Sequence, residues 1–200
     1  TSTFTQGNLT HVENPFSVAL EGDGFFQIRT ESGELQYTRD GSFEISPVAN
    51  GNMLCTSDGN PVLDAYGNQI ILPSNRVATD LVVNQDGTLA FPDGTGNPAV
   101  ITDANGRPVK FGIYQFNNPA GLSKEGSNNY SVTVASGAAV AENGNAAVKQ
   151  TKTHQYYTEA SNVDVANEMV NLIVAQRAYE MNSKAIQASD EMMQQANALR

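Results

Sequence analysis

The chain is poor in cysteine, tryptophan, histidine and positive charge. Its 200 residues hold one cysteine, no tryptophan and two histidines. A single thiol, Cys55, excludes an internal disulfide and a cysteine zinc cluster, and between Leu54 and Thr56 it reads as a small strand residue. His11 and His154 lie far apart and in no metal-triad or H-x-x-x-H spacing, so both read as surface or packing residues. Lys and Arg number 11 against 21 Asp and Glu, a formal charge of -10. That excess repels phosphate backbones and anionic lipid, which argues against nucleic acid as a partner. No apolar run approaches the roughly 20 residues that span a bilayer, which argues against direct membrane insertion. The first residues also lack the charged, apolar and small-residue order of a cleaved secretory signal.

What is present is an apolar content of 40%, enough for a packed core, and many tight-turn signals. Gly22-Asp23-Gly24, Ser32-Gly33, Asp40-Gly41, Asn50-Gly51, Asp58-Gly59, Gly67-Asn68, Asp86-Gly87, Asp93-Gly94 and Asn105-Gly106 punctuate short β-prone runs such as Phe16–Leu20 and Phe25–Arg29. Asn or Asp before Gly tolerates the positive φ of a hairpin turn, so each pair predicts a turn with a mechanism. Gly59-Asn60-Pro61-Val62 and Gly106-Arg107-Pro108-Val109 are read as recurrent turn chemistry, too short for a repeat. Phe111, Ile113 and Phe116, and then Tyr130, Val132 and Val134, predict core strands by alternation. The Ala, Gly, Ser and Asn stretch from Ala135 to Val148 predicts a loop or linker. The fold expected is mainly β: a compact antiparallel sandwich or barrel-like domain with extended flanking segments and one long C-terminal α-helix.

That helix is predicted from Val163 to Arg200, a stretch without Gly or Pro and rich in Ala, Met, Glu, Gln and Leu. Ser161, Asn162 or Asp164 could cap it. Val165, Leu172, Tyr179, Ile186 and Met193 recur at every seventh position, with Ala175, Ser189 and Ala196 filling the stripe. A straight helix drifts about 20° per heptad, so a seven-residue repeat calls for a partner helix to supercoil with. Alone, the helix is expected to fray beyond about Ala175, because seam burial does not offset the backbone entropy.

Chemical motifs are scarce. Gly22-Asp23-Gly24 followed by Gln27 lacks the third glycine and the helix of a dinucleotide loop. Asp103-Asn105-Gly106 and Asp58-Gly59-Asn60 lack the remaining acidic ligands of a calcium loop. There is no G-x-S-x-G elbow. No catalytic, cofactor-binding or metal residues are assigned, no cofactor is expected, and the chain is read as a non-enzyme.

Tyr37-Thr38-Arg39-Asp40-Gly41-Ser42-Phe43 reads first as an Asp-Gly turn, with Asp40 and Ser42 bonding backbone and Tyr37 and Phe43 packing across it. Together with Gly24-Phe25-Phe26-Gln27, Ser161-Asn162-Val163-Asp164, Gln176-Arg177-Ala178-Tyr179-Glu180 and Asn182-Ser183-Lys184-Ala185-Ile186, it resembles the bacterial flagellar rod and hook protein family. The lead-in Phe4-Thr5-Gln6-Gly7-Asn8-Leu9 is similar to the distal-rod branch of that family. The motifs come in the family's order and span nearly the whole chain, most weakly from about Leu81 to Val148.

The resemblance implies a structural subunit of the basal-body rod. Such subunits stack into a helical tube with copies of themselves and with other rod and hook proteins, transmit torque and enclose part of an export channel. It also implies delivery by the type III export apparatus without a cleaved signal, residence in the cell envelope, and an N-terminal helix preceding the lead-in, expected to have been trimmed here. On this reading residues 1–14 are an extended lead-in, 15–148 a β-rich middle domain, 149–162 a connecting segment and 163–200 the filament-core helix. Val165, Met169, Leu172, Tyr179, Ile186 and Met193 would face neighbours, with Gln176, Arg177, Glu180 and Asn182 as polar contacts that fix register. Gly24, Phe25, Phe26, Tyr37, Arg39, Asp40, Gly41 and Phe43 form the β-domain motif, with Arg39 and Asp40 expected to hold that domain together or to touch the next subunit. A hook subunit is the nearest alternative, and room for only one compact β domain favours rod. A carbohydrate-binding or adhesive β domain would need Tyr66, Tyr114 and Tyr130 exposed together; an enzyme acting on polysaccharide would need clustered acidic and basic groups.

Overall fold

A computed structural model describes residues 4–93, 98–162 and 165–198, with helix side chains described from 169 to 194. The chain separates into a β unit reaching Ser161 and a unit from Asn162 onward. The first strands are β1 (Leu9–His11), β2 (Val18–Glu21), β3 (Phe25–Arg29), β4 (Leu35–Thr38), β5 (Glu44–Val48) and β6 (Gly51–Cys55). Next come β7 (Ile71–Pro73), β8 (Val82–Val83), β9 (Leu89–Pro92), β10 (Pro98–Val100) and β11 (Ile113–Gln115). The last are β12 (Ser123–Gly126), β13 (Asn129–Ser131), β14 (Val140–Ala141), β15 (Lys152–Gln155) and β16 (Tyr157–Glu159).

One turn design recurs through these strands. Thr30, Thr56, Asp64, Asn84 and Asp103 each donate their amide to the carbonyl four residues on, and each accepts from the amide of a glycine three residues on. Those glycines have φ between 77° and 87°. This is the three-residue hairpin loop closed by a left-handed glycine, which suits the twist of the strands on either side. The first residue is a short polar one because its side chain caps the loop. Asp103 Oδ1 accepts from the Asn105 and Arg107 amides at 2.8 Å each, and Asp64 Oδ1 does the same for Tyr66 and Asn68. The two similar Gly-x-Pro-Val segments are two uses of it. Gly94, of the Asp93-Gly94 pair, lies outside the described residues.

All named strand pairings are antiparallel and the sheets are open, with no barrel closure among the described residues. The largest sheet runs β12-β13-β4-β3-β11-β14. Alternation along β3 sends Phe26 and Ile28 to one face and Phe25 to the other. Phe26 meets Phe43 and Phe111 at ring-centroid distances of 5.0 and 5.2 Å, in the main core with Leu20, Leu54, Leu72, Leu89 and Ile113. On the opposite face Phe25, Tyr37, Phe116 and Leu122 form a second cluster, against which Phe4 of the lead-in packs edge-on to Phe25 and Tyr130. Phe111 and Ile113 therefore serve the main core and Phe116 the other face. Tyr37 and Phe43 part company too, one to each cluster, so they do not pack across the Asp40-Gly41 turn.

Two expectations from alternation and composition fail. Val132 and Val134 lie beyond the end of β13 and are exposed, Val134 fully at 104%. Thr133 and Ser136 take over the backbone bonds there and turn the chain out of the sheet. The small-residue stretch after Ala135 is mostly loop, as expected, but no linker: its β14 edges the large sheet, and Ser136 and Glu142 are buried.

The ends of the β unit meet. β15 pairs with β2, matching Val18 with Gln155 and Leu20 with Thr153. At Tyr156, φ is 65°, an uncommon value for a side-chain-bearing residue, and there the chain leaves β2; β16 pairs with β1 instead, matching Leu9 with Glu159. Helix α1 (Val165–Ala198) forms the second unit. Val163 and Asp164, the latter an expected cap, lie outside the described residues. No described helix is long and apolar enough to cross a membrane.

Candidate functional site

Arg39 follows β4 and gathers three separated parts of the chain. Its Nε and Nη2 donate to Glu159 Oε2 at 3.0 and 2.8 Å. Its Nη1 donates to the carbonyls of Gly22 and Gly24 at 2.9 and 3.0 Å, and Nη2 reaches Gln6 Oε1 at 3.4 Å. Arg39 and Glu159 side chains are each 13% exposed. Guanidinium suits this place because its planar fork offers several donors in fixed directions, which an ammonium cannot match. The other Glu159 oxygen accepts from the Gly7 amide at 2.8 Å. Gln6 donates to the Leu20 carbonyl and accepts from the Gly22 amide. A Cβ on Gly7 would run into the Ala160 carbonyl, so glycine lets the lead-in and the exit strand approach this closely.

Asp40 behaves differently. Its Oδ1 accepts from the Ser42 amide and its Oδ2 from Asn128, which joins the turn to the loop before β13. Gly41 is required for space: a Cβ there would overlap the Val18 carbonyl. A Cβ on Gly24 would instead crowd the side chains of Ile113, Thr151 and Glu142. Glu142 is a buried carboxylate that takes the Thr151 amide and hydroxyl and Gln115 Nε2.

The two histidines come together on one tyrosine. His11 is edge-on to Tyr157 at 5.3 Å, and His154 approaches the same ring at 6.2 Å while bonding Glu21 at 2.7 Å. That bond holds the Glu21 carboxyl below its ordinary value against the opposing effect of desolvation. No group of three or more metal-ligating side chains occurs among the described residues. Cys55 is buried in β6, and desolvation, with Glu44 nearby, pushes its thiol pKa up. The three tyrosines of the carbohydrate reading are not exposed together: Arg107 covers the Tyr66 ring at 3.9 Å, while Tyr114 and Tyr130 are half-buried against the second cluster.

In α1, every described side chain from 169 to 194 is exposed. Met169, Leu172, Tyr179, Ile186 and Met193, of the expected seam, are among these exposed side chains; the Val165 side chain lies outside the described residues. Gln176, Arg177, Glu180 and Asn182 are exposed as well. The sequence reading missed a second seam. At about 100° per residue, Val170, Val174, Met181 and Met192 fall about 160–200° from Leu172. Ala188, Ala185 and Ala178 widen this face to about 160–240°, and the signal was present as a second 3-4 spacing, at 174, 178, 181, 185, 188 and 192, in which 174, 181 and 188 follow 172, 179 and 186 by two residues.

A β unit whose buried side-chain polar atoms, among the described residues, are all partnered, followed by a helix apolar on two opposite faces, is the layout of a structural subunit that presents surfaces for packing. Two family models match it: the flagellar basal body rod FlgEFG protein C-terminal model at residues 154–199, and the flagellar hook protein FlgE/F/G D1 domain model at residues 19–91. The flagellar basal-body rod proteins FlgG of Buchnera aphidicola subsp. Acyrthosiphon pisum and of Borreliella burgdorferi are 37% and 39% identical to it. Each alignment covers 98% of this chain and 69% of the relative. The flagellar hook-basal body complex protein FlhP of Bacillus subtilis is 34% identical over the same shares. The chain belongs to the flagellar rod and hook protein family. Within it, the chain is a structural rod subunit of the flagellar basal body, and the hook alternative is not better supported.

Proposed function

We propose that the chain assembles with copies of itself into a helical axial tube, joins other rod and hook proteins there, transmits torque and lines part of an export channel. Delivery is by the type III export apparatus, and the chain performs no catalysis. The observation that carries this reading is the pair of opposite apolar seams on an exposed helix. A helix with two opposite apolar faces has two surfaces to bury, and neighbouring subunits would cover them. Residues 163–200 then act as the core helix and 15–148 as the outer β domain, with 1–14 and 149–162, which pair into the same β unit through β1, β15 and β16, leading to and from it. Val165, Met169, Leu172, Tyr179, Ile186 and Met193 pack on one neighbour, while Gln176, Arg177, Glu180 and Asn182 set register.

The test places aspartate in each seam separately, as Leu172→Asp with Ile186→Asp, and Val174→Asp with Met181→Asp. Each buried apolar side chain contributes about 1.5–3 kcal/mol, so either pair abolishes rods in electron micrographs and swimming in cells. Melting of the β unit stays as in the parent. Normal rods from either double variant would sink the reading for that seam.

A further inference from the structure

The sheet pattern leaves a weak point at the foot of the β unit. β1 and β16 form a two-stranded ribbon of three residue pairs, separate from the other sheets. A two-stranded ribbon has little stability of its own. Yet both segments that flank the β unit pass through it, and residues 160 and 161 lead onward from it to the second unit. Any pull along that segment reaches Glu159 before it reaches the core.

We propose that Arg39 is the force-bearing coupling residue that ties this ribbon to the body of the β unit. It holds the last residue of β16 through Glu159, the lead-in through Gln6, and the turn between β2 and β3 through Gly22 and Gly24. Glu159 completes the circuit by binding the Gly7 amide. A load on the ribbon therefore passes into β2, β3 and β4 in parallel and does not peel one hydrogen bond at a time. Charge-assisted bonds in a mostly water-excluded site are the strong class for this purpose. That the load is mechanical torque rests on the rod reading above; the coupling itself does not.

Native-state hydrogen exchange on Arg39→Gln, Glu159→Gln and Arg39→Lys tests it. The Gly7 and Ala160 amides, bonded to Glu159 and to the Asn8 carbonyl, should exchange about ten- to a hundredfold faster in the two glutamine variants. Leu63 and Gly112, whose amides bond inside the core, should keep their parental rates. Arg39→Lys keeps the charge but loses the fork, and should resemble Arg39→Gln more than the parent. Unchanged ribbon exchange, or acceleration shared equally by ribbon and core, overturns the proposal. In cells carrying Arg39→Gln on the chromosome, rods should form and swimming should fail selectively in viscous medium; undiminished swimming there also overturns it. If deleting the gene leaves rods and swimming intact, the rod reading fails, while the exchange rates still decide the coupling.

Discussion

Gly41 shows how one missing side chain can hold two strands in place. Its carbonyl accepts from the Val18 amide at 3.0 Å, and its α-carbon faces the Val18 carbonyl too closely for a methyl group. Gly41→Ala must push β2 away from the turn. The expected cost is about 1–3 kcal/mol, or a Tm lower by about 2–12 °C, measured by thermal denaturation; an unchanged Tm would show that the turn gives way freely. The Asp-Gly pair was legible as a turn, but the reason for its glycine was not, because Val18 is distant in sequence. Arg39 is the stronger instance. A sequence marks it as an arginine in a turn; nothing in the spacing names Glu159 or Gln6 as its partners.

At the scale of the element, the turns were the most legible feature, since their chemistry is complete within five residues. They also make stability depend on acid. In the Asp103 turn, the hydrogen bond from the Arg107 amide holds the carboxyl below its ordinary value, with the Arg107 side chain and Asn105 amide adding to it against desolvation. A carboxyl lowered in the folded state contributes stability that is complete above its unfolded value and is lost as pH falls through the folded one. Titration of Tm between about pH 5 and pH 2 should therefore show a decline below about pH 4. Asp103→Asn should make that decline shallower, and an identical curve would remove Asp103 from the account. Strands were less legible than turns. Alternation in Tyr130, Val132 and Val134 specifies faces but not whether a neighbouring strand continues, and here the loop held by Thr133 and Ser136 ends the pairing. In α1 the reading of one seam came from following a strict spacing of seven, which passes over a second seam two residues out of step.

For the whole molecule, the sequence conveyed class better than connectivity. Mainly β with a terminal helix follows from local patterns, whereas the pairing of β2 with β15 and β1 with β16 joins residues from opposite ends of the chain. Net charge acts at this scale as well. Copies carrying a formal charge of -10 repel one another. Raising ionic strength from about 0.01 to 1 M shortens the screening length from about 30 to 3 Å. Self-association by sedimentation velocity should strengthen over that range, and weakening with salt would point to attractive ion pairs as the dominant contacts.

The meeting of the two ends also sets an order in time. During synthesis the lead-in emerges well before the strand it pairs with; Gly7 and the carboxylate that binds it are 152 positions apart. Local hairpins can close as soon as their five-residue turns appear, whereas closing the longest loop carries an entropic cost that only a preformed body offsets. Among the pairings of the β unit, the ribbon is thus expected to close last, since Glu159 must reach Gly7 and Arg39 across nearly the whole unit. A molecule caught before that step has a finished interior and two loose ends.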